Sequence, residues 1–157
     1  MTEQQPKTSA GEQAPGPLRR LSLWFQRTTN ARTVTRIRRK GGQMMGMNTL
    51  ILHTTGRRSG AHRESPLAWF ADGENSWLIV ASGGGDRHPD WYANLMAHPA
   101  QAAIEFSGSA PRPVRPQRLE GADRAQAWTR ILREQPRYEK YQRKSEREYP
   151  VVRLTAV

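Results

Sequence analysis

The sequence of 157 residues has no cysteine, and this absence excludes every kind of site that needs a thiol. A disulfide framework, a zinc–thiolate site, an iron–sulfur cluster and a cysteine nucleophile are all ruled out. The sequence also lacks an apolar run of roughly 20 residues, the length that a helix needs to span a bilayer. Both absences are consistent with a protein of the reducing cytoplasm.

Sequence signatures of self-sufficient catalysis are missing as well. The G-x-S-x-G of serine hydrolases, the Walker loop and the G-x-G-x-x-G dinucleotide fingerprint do not occur. The four histidines are scattered and lack the spacing of metal ligands, which predicts surface or core roles and no metal site. They are His53, His62, His88 and His98. If the protein is an enzyme, a bound cofactor is therefore expected to carry the chemistry.

Acidic residues are scarce in the first part of the chain, where residues 1–63 hold twelve Lys and Arg against two acidic residues. Residues 64–157 hold thirteen basic and twelve acidic residues, so nearly all of the net charge of +11 is N-terminal. Such an excess predicts a polyanionic partner such as nucleic acid, anionic lipid or a phosphorylated ligand. Nucleic acid is the weakest of the three because the rest of the chain contains no recognition motif.

Composition divides the chain into three parts. Residues 1–17 are rich in Pro, Gly, Gln and Ser and are predicted to be a disordered tail. Residues 18–40 contain no Pro or Gly and repeat apolar residues at helical spacing, which predicts a basic amphipathic helix ended by Gly41-Gly42. Residues 41–157 carry most of the apolar runs and are predicted to form one domain.

Six runs in the third part have the apolar patterns of β-strands, and turn-rich connectors separate them. They cover residues 47–55, 62–71, 76–82, 101–108, 112–121 and 150–157. The first three are predicted to pair as an antiparallel meander, and helical runs follow the third strand and precede the last. This order predicts a mainly β fold with α insertions, a six-stranded barrel rather than alternating βαβ units. The prolines of the fifth run predict that it is an edge strand.

Two glycine-rich stretches are candidate ligand sites. The first, "TTGRRSGAHR" at residues 54–63, is named here the arginine turn. It is either a polar hairpin or an anion site, because glycines let backbone amides approach a ligand and guanidinium forks match phosphate and carboxylate geometry. The second, at residues 81–88, is named the glycine loop, and its backbone donors could cradle a planar or anionic ligand.

Three stretches together carry a resemblance to a known family: "LILHTTGRRSGAHRESPLAWF", "VASGGGDRHPDWYANLMAHP" and "PRYEKYQRKSEREYPVVRL". In order and spacing they resemble the deazaflavin (coenzyme F-420)-dependent nitroreductase and quinone reductase family of actinobacteria. The resemblance implies a flavin-reductase-like split β-barrel that binds reduced F-420, an 8-hydroxy-5-deazaflavin with a phosphate and an oligoglutamate tail. The implied activity is hydride transfer to a small hydrophobic acceptor such as a quinone, with nitroaromatics as a further class.

The same resemblance implies roles for individual residues. The phosphate region of the cofactor would be held by Arg57, Arg58, Ser59, Gly60 and Arg63. The deazaflavin ring would be lined by Pro66, Ala81, Ser82, Gly83, Gly84, Trp91, Asn94 and Tyr138. The catalytic hydroxyls would come from Ser82 and Tyr138. The acceptor would contact Tyr138, Tyr141 and Trp24.

Several alternatives remain open at the level of sequence. The chain could be a split-barrel oxidoreductase that uses flavin mononucleotide (FMN), or a carrier that binds F-420 or a lipid without turnover. The helix of residues 18–40 could pack over the barrel, or its apolar residues Leu21, Trp24 and Phe25 could enter an anionic membrane surface at the inner face of the cell membrane. A monomer and a homodimer are both compatible with the sequence.

Overall fold

The computed structural model of the protein describes the backbone of residues 17–83 and 87–157 and the side chains of residues 29–83 and 87–157. The predicted tail lies almost wholly outside the described residues, as do Gly84 and the side chain of Trp24. The helices are α1 (Pro17–Lys40), α2 (Asp90–Ala97), α3 (Gly121–Glu134) and α4 (Arg137–Lys144). The strands are β1 (Gln43–Met44), β2 (Met47–Thr55), β3 (His62–Ala68), β4 (Phe70–Ala71), β5 (Ser76–Val80), β6 (Ala103–Glu105), β7 (Arg112–Arg118) and β8 (Val151–Ala156).

The described strands form one antiparallel sheet that curls on itself. Its order is β1-β2-β6-β7-β8-β5-β4, with β3 paired to β2. The strand predicted as one run over residues 62–71 is in fact two, because β3 pairs with β2 whereas β4 pairs with β5. β3 therefore lies near one end of the order and β4 forms the other end, yet only Trp69 separates them in sequence. The sheet has to curl until its ends come close, as a partly closed barrel does.

The hydrophobic core lies on both faces of this sheet. One cluster fills the inside of the curl and contains Ile79 and Leu154, both fully buried. The other cluster lies beneath α3 and α4 and contains Leu78 and Ile131. Neighbouring residues of β5 thus belong to different clusters, because successive side chains of a strand point to opposite faces. A strand covered on both faces needs a continuous apolar run, which is what residues 77–80 provide.

Helix α1 is attached to the sheet by the C-terminal part of its length. Val34 and Ile37, which lie three residues apart and so on one face of the helix, are buried against Ile51 of β2. The helix ends before Gly41, which adopts a left-handed φ of 102° and donates its N–H to the carbonyl of Ile37 at 3.1 Å. None of the described helices combines the length and the apolar character required to cross a membrane.

Arg38 adds a charged attachment between α1 and the sheet. Its guanidinium forms ion pairs with Glu64 of β3 at 2.7 Å and with Glu105 of β6 at 2.8 Å. The hydrogen bond from Arg38 outweighs the effect of burial and lowers the pKa of Glu105 to about 2. Glu105 is therefore ionised at neutral pH.

The prediction that the proline-containing strand lies at an edge is wrong, because β7 lies between β6 and β8. Its pairing with β6 covers only Arg112 and Pro113, so the flank of β7 beyond them has no partner strand among the described residues. The N–H of Val114 points to this flank, where it donates to the carbonyl of Ala102 at 3.1 Å, and Pro116 faces the same way two positions later. Pro116 therefore removes no hydrogen bond from the ladder.

Candidate functional site

The arginine turn connects β2 to β3 as a tight hairpin. The N–H of Gly56 donates to the carbonyl of Ala61 at 2.7 Å, and the N–H of Gly60 donates to the carbonyl of Gly56 at 2.8 Å. Gly60 has a φ of 67°, which favours glycine. A Cβ on Gly56 would lie only 2.6 Å from Oγ of Ser59, and that hydroxyl accepts the N–H of Ala61 at 3.1 Å. Both glycines are thus required by the geometry of the turn.

Arg57 uses its polar groups to hold this turn against helix α2. Its backbone N–H and its Nη1 donate to Oδ1 of Asn94 at 3.1 and 2.8 Å, and its Nη2 donates to Asp90 at 3.2 Å. The structure therefore brings together two residues that the sequence assigns to the cofactor site. The amide of Asn94, which is buried, accepts both hydrogen bonds from Arg57. Arg58 is exposed and Arg63 half-buried on the same hairpin, so they carry further positive charge there.

The glycine loop is shaped by Arg147, a residue that the sequence does not single out. Its guanidinium donates to the carbonyls of Ala81 at 3.0 Å, Ser82 at 3.2 Å and Gly83 at 2.6 Å. The N–H of Ala81 is also held, by the carbonyl of Pro150 at 2.9 Å. A segment of small residues with little packing of its own is thus fixed by the planar fork of one arginine.

His88, at the end of the glycine loop, completes the environment of Arg147. Its Nδ1 lies 3.2 Å from Nη1 of Arg147 and can accept a hydrogen bond only when the ring is neutral. Burial, followed by the positive charges of Arg147 and Arg118, lowers the pKa of His88 below its ordinary value. The neutral ring that the hydrogen bond requires is therefore favoured.

A cleft of about 640 Å³ lies between the glycine loop and the connection from α4 to β8. It is lined by Ser82, Tyr141, Lys144, Ser145, Glu146, Arg147 and Tyr149. Ser82 and Tyr141 are residues that the sequence assigns to the site, and the other five are not. Tyr141 is 44% exposed, so its ring presents an open aromatic surface at the cleft.

Tyr138 lies behind Tyr141 and does not line the cleft. Its side chain is only 7% exposed and belongs to the core cluster beneath α3 and α4. Its ring meets the rings of Phe70 and Tyr141 edge to face, with centroids 5.8 Å apart in each pair. Burial raises the pKa of the Tyr138 hydroxyl, which therefore stays protonated at neutral pH. Tyr138 thus supports the position of Tyr141 from within the core.

The remaining predicted residues occupy different parts of the fold. Pro66 lies in β3 opposite Ile51 of β2 and is half-buried. Trp91, in the first turn of α2, is half-buried, packs on the core inside the curl and meets Tyr92 edge to face at 6.1 Å. Gly84 and the side chain of Trp24 lie outside the described residues. Among the described site residues, Arg57 and Asn94 thus meet at the arginine turn, Ser82 and Tyr141 share the cleft, and Pro66 and Trp91 belong to neither group.

Two of the histidines, although scattered along the sequence, lie together in the fold. Nδ1 of His53 lies 2.8 Å from Nε2 of His62, and the cross-strand partner of His53 is Glu64. Spacing along the sequence does not show this because the residues come from two strands. The signal was nevertheless present: a hairpin closed over residues 56–61 pairs Thr55 with His62 and so fixes the register of the others.

Comparison with known proteins identifies the family. The model of the F420H(2)-dependent quinone reductase family matches residues 18–156. An F420H(2)-dependent quinone reductase of Mycobacterium tuberculosis is 40% identical over 113 residues, which are 68% of this chain and 72% of the relative. Among solved structures, an F420-H2 dependent reductase (FDR-A) has a TM-score of 0.58 at 32% identity and covers 68% of this chain and 92% of its own.

A second solved structure, described as a domain-swapped dimer, has a TM-score of 0.61 at 29% identity. It covers 85% of this chain and 98% of its own length, so the likeness includes nearly the whole described fold. The family model extends over most of the chain and the mycobacterial relative exceeds 30% identity across two thirds of it. The chain therefore belongs to the F420H(2)-dependent quinone reductase family.

Proposed function

We propose that this protein is an oxidoreductase that transfers a hydride from reduced coenzyme F-420 to a quinone. The observation that carries the proposal is the cleft of about 640 Å³, in which Ser82 of the glycine loop faces the exposed ring of Tyr141. Membership of the family supports the cofactor and the class of acceptor. We further propose that the curled sheet is a split barrel of the flavin-reductase type. The likeness of this chain to the solved structure of an F-420-dependent reductase supports this proposal.

The residues of the cleft suit such a cofactor. The basic residues Lys144 and Arg147 outnumber the acidic Glu146 in the cleft, which gives the cleft a net positive charge that suits an anionic ligand. Tyr149 offers aromatic surface to the planar ring of the cofactor, and the exposed ring of Tyr141 offers it to the acceptor. When bound, reduced F-420 supplies a hydride as a two-electron donor, so the protein itself needs no redox group.

The arginine turn is proposed to hold the phosphate side of the cofactor. The residues assigned to it are Arg57, Arg58, Ser59, Gly60 and Arg63, and those assigned to the ring side are Pro66, Ala81, Ser82, Gly83, Gly84, Trp91 and Asn94. The contacts of Arg57 with Asn94 and Asp90 support a shared role for the two groups, because they link the turn to the helix that follows the glycine loop. Arg57 then positions the turn, and Arg58 and Arg63 contribute charge toward the anion.

We assign the catalytic hydroxyls to Ser82 and Tyr138 and the acceptor contacts to Tyr138, Tyr141 and Trp24. A hydroxyl near the oxygen that gains charge stabilises it by donating a hydrogen bond. Ser82 lines the cleft and can donate directly. Tyr138 is protonated but buried behind Tyr141, so the role proposed for its hydroxyl requires the cleft to open when the acceptor binds. The aromatic side chains at the cleft also displace water from the acceptor.

The first experiment compares cofactors and acceptors. The protein is titrated with F-420 and, separately, with FMN, and binding is measured by the change in fluorescence of each ligand. Binding of F-420 only is expected. Oxidation of reduced F-420 is expected to require an acceptor and to be faster with menadione and longer quinones than with nitroaromatics. Binding of FMN alone would contradict the proposal, and binding of F-420 with no acceptor-dependent oxidation would favour the carrier.

The second experiment tests the cleft itself. Replacement of Tyr141 by Ala is expected to lower kcat/KM for menadione by about tenfold or more, because an aromatic contact near the acceptor is lost, and to leave the affinity for F-420 within about threefold. Lys140→Ala is the matched control, since Lys140 is exposed on the same helix and does not line the cleft. Equal kcat/KM in both variants would place the acceptor elsewhere.

Assembly and location form the last part of the proposal. A homodimer is supported by the likeness to a structure described as a domain-swapped dimer. We place the site of action in the cytoplasm, at the inner face of the cell membrane. The N-terminal positive charge supports this location because basic residues are attracted to anionic lipids. The proposed acceptor supports it too, because a quinone resides in the lipid phase. Light scattering during size-exclusion chromatography tests the first, with a single mass of one chain at micromolar concentration as the contradicting result.

A further inference from the structure

A second cluster of polar side chains lies where helix α1 meets the hairpin of β2 and β3. It contains His53 of β2 and His62 and Glu64 of β3. Nδ1 of His53 is 2.8 Å from Nε2 of His62 and 3.9 Å from Oε1 of Glu64, and the three atoms all lie within 4.8 Å of one another. No residue of this cluster lines the cleft at the glycine loop.

A carboxylate on the far side of the ring, that of Glu105, fixes the orientation of His53. Its Nε2 lies 2.8 Å from Oε2 of Glu105, and both oxygens of Glu105 also accept hydrogen bonds from Arg38 at 2.8 Å. An ionised carboxylate can only accept, so a neutral His53 carries its proton on Nε2 and its Nδ1 accepts the hydrogen bond from Nε2–H of His62. A metal ion can take the place of that proton when His62 changes to its other tautomer. A histidine held in this way by a carboxylate is the arrangement that accompanies most metal-binding histidines.

We propose that His53, His62 and Glu64 bind a divalent transition-metal ion of the zinc class. Two imidazole nitrogens and one carboxylate oxygen are ligands that such ions prefer, and three protein ligands leave a fourth position for water. Metal–ligand bonds of about 2.0–2.1 Å in a tetrahedral site separate the ligand atoms by about 3.3 Å. The pair of histidine nitrogens therefore has to open by about 0.5 Å and the His53–Glu64 pair has to close by about 0.6 Å.

The surroundings allow both the movement and the entry of an ion. His62 is exposed and Glu64 is half-buried, whereas His53 is buried and held by Glu105. His62 and Glu64 also line an open cleft of about 340 Å³ between α1 and β3. An ion and its water can therefore reach the fixed nitrogen of His53 from this cleft while the two outer ligands adjust.

Arg38 is the competitor of the ion for Glu64. Its Nη2 donates to Oε1 of Glu64 at 2.7 Å and its Nη1 donates to Oε2 at 3.4 Å. Arg38 keeps its two hydrogen bonds to Glu105 if the metal takes Glu64, so α1 remains attached. The two carboxylates together offset the charge of Arg38 and part of the charge of the ion. Metal binding is therefore expected to be of moderate affinity and to stabilise the junction of α1 with the sheet.

The test uses the full chain without an affinity tag, after dialysis against EDTA. Titration with Co²⁺ is expected to give visible absorption bands of a four-coordinate site that saturate at one ion per chain, and Zn²⁺ is expected to displace them. His62→Ala is expected to weaken Co²⁺ binding by at least about tenfold, and Glu64→Gln by a similar factor, because each removes one of three protein ligands. His98→Ala is the matched control and is expected to bind as the wild type does.

A second measurement separates metal binding from a purely structural role. Zn²⁺ is expected to raise the Tm of the wild type and of His98→Ala and to leave the Tm of His62→Ala unchanged, because only a folded state that binds the ion is stabilised by it. The Tm values in EDTA show whether each variant is folded before the metal is added. Absence of saturable Co²⁺ binding in the wild type, or equal binding in His62→Ala, would overturn the proposal. Both readouts are independent of F-420.

Discussion

At the scale of single residues, Arg147 explains how a glycine-rich loop keeps a defined shape. Three successive carbonyls, those of Ala81, Ser82 and Gly83, accept hydrogen bonds from one guanidinium. Because each peptide unit is planar, fixing a carbonyl also fixes the direction of the N–H that follows it. The backbone donors proposed to face the cofactor are therefore oriented by a side chain that lies 64 residues later in the sequence.

We predict that Arg147→Lys weakens the binding of F-420 by about tenfold, or about 1.4 kcal/mol. A lysine carries its donors on one atom at the end of a flexible chain and cannot reproduce the planar fork that holds the carbonyls and His88. The measurement is a fluorescence titration with F-420. Arg143→Lys serves as the control, because Arg143 pairs with the exposed Glu139 one turn earlier in α4 and does not line the cleft. The role assigned to Arg147 fails if both variants bind as the wild type does.

The residues of the site could be predicted from sequence only where a motif names them. The order of the three stretches is enough to predict Ser82 and Tyr141, which share the cleft in the structure. Arg147 and Lys144 could not be predicted, because their place at the cleft depends on where α4 ends and how the chain turns into β8. The hydrogen bonds of Arg57 could not be predicted either, since its partners Asp90 and Asn94 belong to a helix more than 30 residues later in the sequence.

At the scale of elements, local sequence patterns predict where a strand lies in the chain better than they predict which strands pair with it. The strand predicted at residues 47–55 is β2, with identical bounds. An apolar run that ends at a glycine on each side can be recognised from the sequence alone. The break at Trp69 and the central position of β7 are tertiary properties. Both arise from the curl of the sheet, which brings β4 to β5 and leaves one flank of β7 open beyond Pro113. No local pattern records this curl.

Asp72 provides a test of how separate elements are held together. It lies in the turn between β4 and β5, and its side chain is 4% exposed. It pairs with Arg130 of α3 at 2.7 Å and with Nε of Arg153 in β8. Burial opposes ionisation, but the hydrogen bond from Arg153 and the charges of Arg153 and Arg130 outweigh it and hold the pKa of Asp72 below its ordinary value.

We predict that Asp72→Asn lowers the free energy of unfolding by about 2 kcal/mol at pH 7, since hydrogen bonds to a charged group are lost. A carboxyl group whose pKa is lower in the folded state stabilises the fold above its unfolded pKa and loses this effect as the pH falls through the folded pKa. The difference between wild type and variant should therefore shrink below about pH 4. Urea unfolding from pH 7 to pH 3 measures it, with Glu74→Gln in the same turn as the control. A difference that does not change with pH would contradict the assigned ion pairs.

At the scale of the whole molecule, the residues that attach α1 to the sheet lie in the C-terminal half of the helix. The net charge of +11 comes almost entirely from residues 1–63, whereas Val34, Ile37 and Arg38 attach the helix to the sheet. A chain that lacks residues 1–28 loses basic and apolar groups and keeps the contacts of Val34, Ile37 and Arg38. The proposed contact with an anionic membrane and the integrity of the domain can therefore be tested independently.

We predict that a chain lacking residues 1–28 keeps its Tm to within a few degrees but binds anionic vesicles at least about tenfold more weakly. The deleted segment carries Lys7, Arg19, Arg20 and Arg27 against Glu3 and Glu12, so a net charge of +2 is lost, and each unit of charge near such a surface contributes about 1 kcal/mol. Co-sedimentation with vesicles of phosphatidylglycerol and phosphatidylcholine measures the loss, and vesicles of phosphatidylcholine alone control for charge. Binding of the full chain should also fall as salt is raised, because the attraction is screened. Full retention of vesicle binding by the shortened chain would show that residues 1–28 take no part in membrane contact.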